Sequence, residues 1–102
     1  MEYRFEVSER ALADADRIFD RIAARSVAQA RRWYQGLFRE FESLTQFPLR
    51  CPAAPEGAAY DREVREGLYG KRPSVYRILF VIRDDLVVVL AIWHASHGPA
   101  KL

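Results

Sequence analysis

Residues 75–94 read VYRILFVIRDDLVVVLAIWH, and the fold of the chain follows from how this stretch divides. Arg83, Asp84 and Asp85 stand together between two apolar runs, which is the composition of a turn. On one side Val75–Ile82 is β-branched and aromatic with a single interior charge, Arg77; on the other Leu86–His94 carries none. Two such runs joined by a short polar turn predict an antiparallel hairpin. Neither run alternates with polar residues, so both faces of each strand should be covered and the hairpin should lie in the middle of a sheet.

Working back from the hairpin, Gly70–Pro73 reads as a turn and Glu63–Tyr69 as an amphipathic strand entering it. Pro48, Pro52, Pro55 and Gly57 mark the preceding dozen residues as loop. Upstream of Pro48 the period changes from two to helical. Val27, Ala30, Tyr34, Leu37, Phe41 and Leu44 recur at steps of three and four, widened by Trp33 and Phe38. Ser26-Val27-Ala28-Gln29 has the form of a capping box opening this helix. An earlier helix starts after Ser8, shows Leu12, Ala15, Phe19 and Ile22 at helical spacing, and runs to about Ala24. So short a link makes the two helices a hairpin. Before them, Tyr3, Phe5 and Val7 alternate with Arg4 and Glu6 as in a half-buried strand.

The expected class is therefore α+β: an N-terminal strand, a two-helix hairpin packed on a mostly antiparallel sheet, and three C-terminal strands completing that sheet. The core should hold Leu12, Phe19, Ile22, Leu37, Phe41, Leu44, Ile78, Phe80 and Val89. At 102 residues and 50% hydrophobic content, residues 1–102 should form a single domain without staples. Cys51 has no partner for a disulfide. The N-terminus lacks the basic start and apolar run of a signal peptide, and Leu86–Trp93 is too short to cross a bilayer, so a cytoplasmic protein that does not engage membranes is expected.

The net charge is only +2, but it is unevenly spread. Between residues 61 and 83, Arg62, Arg65, Lys71, Arg72, Arg77 and Arg83 face only Asp61, Glu63 and Glu66, and the rest of the chain balances to within one charge. This central stretch is where a polyanion or an acidic partner would dock.

Val64-Arg65-Glu66-Gly67-Leu68-Tyr69, Tyr76-Arg77-Ile78-Leu79-Phe80-Val81-Ile82, Asp84-Asp85 and Val87–His94 resemble the C-terminal half of the RelE/ParE toxins of type II toxin-antitoxin systems, and the helical hairpin ending in Phe47-Pro48 resembles their N-terminal half. The resemblance implies a toxin that arrests growth and is silenced by a cognate antitoxin, whose C-terminal segment is disordered alone and acidic. It implies one of two targets. The RelE branch enters the ribosome and cleaves messenger RNA without a metal; the ParE branch inhibits DNA gyrase and has no catalytic activity of its own.

Metal-free RNA cleavage needs a base for the 2′-hydroxyl, cations for the phosphate and an acid for the leaving oxygen. In the resemblance Arg77 takes the phosphate-contacting position, and His94 and His97 lie at the strand end where catalytic side chains stand; Arg65, on the preceding strand, offers a second cation. Lys71 and Arg72, beside each other in a turn, would touch RNA. These residues tip the reading toward the ribonuclease, with gyrase inhibition as the alternative. Against it, no glutamate is placed as a general base, and His97 stands where an arginine is usual in the family. Each residue also has a plainer reading: Arg77 paired with Glu63, Glu66 or a partner's carboxylate, His94 packed on the face of Val88, Leu90 and Ile92, and His97 idle at the surface. No cofactor is called for, and His94 and His97 alone make a poor metal pair.

Overall fold

The computed structural model describes residues 2–102. Strand β1 (Arg4–Val7) leads into helices α1 (Glu9–Ala23) and α2 (Val27–Leu44), and β2 (Arg65–Lys71), β3 (Ser74–Arg83) and β4 (Leu86–His94) follow the loop. The four strands form one sheet in the order β1-β4-β3-β2. β1 runs parallel to β4, pairing Arg4 with Leu86 and Val7 with Val89, and the other two pairings are antiparallel. The α+β layout, the helix hairpin and the central place of β3 and β4 are as the sequence reading expects.

Local chemistry fixes the helix starts. Ser8 accepts the Ala11 N–H and Ser26 the Gln29 N–H through their hydroxyls, so each supplies an acceptor to an otherwise free amide of its first turn. The capping box at Ser26 closes on one side only. Its own N–H donates to the Ile22 carbonyl, so the preceding helix supplies the acceptor expected from Gln29.

α2 buries Ala30, Leu37, Phe41 and Leu44, the expected stripe, although Val27 at its first turn is exposed. α1 departs from expectation. Its buried face is Ala11, Asp14, Ala15 and Ile18, while Leu12 is 40% exposed and Phe19 and Ile22 are only partly covered. Small side chains let α1 lie close to β4, and the closeness is used: the Asp14 carboxylate, itself buried, accepts the Ile92 backbone N–H at 3.0 Å and pairs with Arg10 and Arg17. That amide lies beyond Val89, the last residue of β4 that β1 pairs, and β4 is also irregular in this stretch. Phe80 pairs with Val89 but Leu79 with Ala91, so Leu90 is an extra residue.

The same bulge changes which face the end of β4 presents. Before it Val87 and Val89 face the helices; after it Ile92 and His94 do, whereas Val88 and Leu90 face away. His94 therefore does not share a face with Val88 and Leu90, contrary to simple alternation. Tyr76, Ile78 and Phe80 from β3 complete the helix-side core with Phe41. On the other side Val64, Leu79, Val81 and Ala91 are covered by the loop before β2, through Ala54, and by Ala100. β2 begins and ends two residues later than expected, so Lys71 pairs with Ser74 inside the ladder and the turn narrows to Arg72 and Pro73. Gly36 permits a close approach between layers: any Cβ there would collide with the Tyr69 hydroxyl, which donates to the Trp33 carbonyl at 2.8 Å.

Candidate functional site

Arg77 projects from β3 onto the face away from the helices, into an open cleft of about 800 Å³ between the loop at Pro55–Tyr60 and the segment Ala95–Leu102. It is not free there. Its Nη1 and Nη2 donate to the two carboxylate oxygens of Glu56 at 2.7 Å each, a forked pair, and its Nε donates to Glu66 at 2.6 Å. The Arg77 side chain is 11% exposed, that of Glu56 6% and that of Glu66 22%, so this is a largely covered ion cluster on the wall of the cleft, in which two acids share one base. Glu56 gains a further donor, the Ala100 N–H at 2.8 Å, which ties the chain beyond β4 to the loop before β2. Trp93 reinforces that closure by donating its indole N–H to the Gly98 carbonyl.

The fork of Arg77 and the Ala100 amide hold the Glu56 carboxyl well down, at about 2 against the usual 4.5, despite the opposing effect of burial. A depressed acid stabilises the fold above its unfolded pKa and loses that contribution as pH falls toward its folded value. From about pH 5 to about pH 2 wild-type stability should therefore drop by on the order of 3 kcal/mol more than that of Glu56→Gln, a difference urea titrations across that range will read. Parallel pH profiles would show that Glu56 is not held by Arg77.

Arg65 lies elsewhere. It pairs with Phe80 on the helix side of β2, forms an ion pair with Glu63, and donates to the carbonyls of Leu49 and Cys51. His94 pairs with Tyr76, four residues along β3 from Phe80 and so roughly 13 Å from the level of Arg65. His94 packs edge-on against Tyr76 with ring centroids 5.1 Å apart, and His97 stacks on it at 4.7 Å. Lys71 and Arg72 are exposed at the hairpin tip. The structure thus brings His94 and His97 together, places Arg65 at the far end of the same face, and puts Arg77 through the sheet on the other.

Of the expected ion-pair partners of Arg77, Glu66 is present, and Glu63 is taken by Arg65. Glu56 was not foreseen. Its only signal in the sequence is that it is the sole charge in CPAAPEGAAY, residues 51–60, a stretch otherwise too apolar to leave a loop acid without a purpose.

A sequence-family profile described as the ParE toxin of the type II toxin-antitoxin system, parDE, matches residues 5–99. No curated protein sequence matches the chain. Among solved structures, a chain of the chromosomal ParDE TA system from P. aeruginosa superposes with a TM-score of 0.69 at 17% identity, covering 91% of this chain and 96% of that one. At that identity the superposition speaks for a shared fold, and the profile speaks for the family.

Proposed function

Because the chain belongs to the ParE toxin family of type II toxin-antitoxin systems, we propose that it arrests growth by binding DNA gyrase and not by cutting messenger RNA. The observation that carries this reading is the dispersal of the side chains hydrolysis would need. General acid, general base and phosphate cations must stand within hydrogen-bond reach of one scissile group. Arg77 is on the opposite face of the sheet from His94 and Arg65, and all three of its guanidinium nitrogens already donate to carboxylates. Freeing that fork for a phosphate would leave Glu56 and Glu66 together without a cation in a largely covered site, a cost that opposes the new contact.

The partner that restrains such a toxin is an antitoxin, as the pairing named in the P. aeruginosa system supports. Its acidic segment, ordered on binding, would find Lys71 and Arg72 exposed at the β2–β3 tip. Both toxin and target would meet in the cytoplasm. Purified protein should block gyrase supercoiling while leaving messenger intact in a cell-free translation reaction. Cleaved messenger with supercoiling unaffected would return the protein to the ribonuclease branch and overturn the reading.

A further inference from the structure

A second cavity, of about 520 Å³, opens on the helix side of the molecule, where the link between α1 and α2 meets the ends of β3 and β4. Its size is that of a small-ligand pocket. Its chemistry is one-sided. Arg21 and Arg25 stand on one wall and His94 and His97 on another, and no carboxylate lines it. Neither guanidinium has an acidic partner among the described residues, in contrast to Arg77 and Arg65. Gln29 brings in the first turn of α2, which contains no acidic residue, so the positive end of an 18-residue helix adds to the field.

Ser96 fixes the orientation of the His94 ring: its backbone N–H donates to Nδ1 at 3.1 Å and its hydroxyl lies 2.7 Å from the same nitrogen, which directs Nε2 away from Ser96. His97 lies over the same ring with its plane 28° away. Trp33, in the same wall, has a buried indole N–H without an acceptor among the described residues. Two cations, two imidazoles and an aromatic-aliphatic floor of Ile22, Trp33 and Tyr76 describe a receptor for a compact oxyanion joined to something flat or apolar.

We infer that this cavity is a phosphate-binding site, with Arg21 and Arg25 gripping the phosphate group of a nucleotide-sized ligand and His94 and His97 closing over it. The site is separate from the Arg77 cleft and stands whether or not gyrase is the target. His94 and His97 are the protein's only histidines, so a ¹H–¹³C spectrum of the imidazoles reports on the cavity alone. Titrating inorganic phosphate and, separately, adenosine monophosphate should shift both histidine signals saturably at constant ionic strength. The Arg21→Ala/Arg25→Ala variant, whose lost side chains are exposed and should leave the fold intact, should weaken that response about tenfold or more. Arg62→Ala/Arg83→Ala, which removes equal charge from the other end of the sheet, should not. Tighter binding of the nucleotide would identify an esterified phosphate as the source and equal binding the free anion; both uphold the site. No saturable shift, an unaltered response in the Arg21/Arg25 variant, or an equal response to a triglutamate peptide would overturn it.

Discussion

Arg77→Ala should lower folding stability by about 3–5 kcal/mol, because it removes the only cation from a cluster holding two glutamates. Glu56 would remain with its side chain 6% exposed, and Glu66 would remain beside it at 22%, with no positive charge between them. The loss therefore measures the uncompensated acids more than the worth of the pair, which sets a second expectation. Adding Glu56→Gln to Arg77→Ala should recover part of the stability, although each change alone is harmful. Urea denaturation of the four proteins in that cycle at neutral pH gives the coupling directly. A loss under about 1 kcal/mol for Arg77→Ala would mean the cluster is not as covered as its geometry implies. The folded fraction of Arg77→Ala should still inhibit gyrase, since the side chain's donors are spent inside the molecule.

Phe41→Ala should cost a similar amount, about 3–5 kcal/mol, for a different reason. Phe41 has no exposed surface, and its ring meets Phe5 of β1 at 5.8 Å and Phe38 at 4.9 Å between centroids. Truncation opens a void at the point where α2, β1 and the sheet meet, and neighbours held by backbone ladders collapse into it poorly. Thermal and urea unfolding will read the change. A value below about 1 kcal/mol would place Phe41 on a yielding surface instead.

The particular residues explain which parts of the fold were legible. The hairpin at 75–94 could be read because β-branched runs flanking a charged turn admit few other structures, and β4 spans Leu86–His94 as expected. α2 announced its buried face through large side chains. α1 did not, because periodicity is judged from large apolar residues, whereas the surface it turns inward is Ala11, Asp14 and Ala15. An acid buried to cap a strand amide looks, in sequence, like one more polar position. The bulge at Leu90 left no mark either, as no glycine or proline announces it, and one unpaired residue was enough to move His94 to the other face. In the ion cluster of β3, sequence offered Arg77 and one of its partners, Glu66, but not the other. Glu56 lies 21 residues away across an irregular loop, and no local rule couples such positions.

The parallel pairing of β1 with β4 has a consequence in time. β1 has no other neighbour in the sheet, so residues 4–7 wait for residues 86–89 before they can be hydrogen-bonded. Contacts so distant along the chain are closed late and slowly. On the ribosome the helical hairpin therefore emerges with its apolar face uncovered, and folding cannot be completed until the last strand has been translated. A growing cell that makes this protein is thus exposed to it only after β4 has been made, and a prematurely terminated chain lacking β4 would leave β1 unpaired and much of the helix-side core open to water.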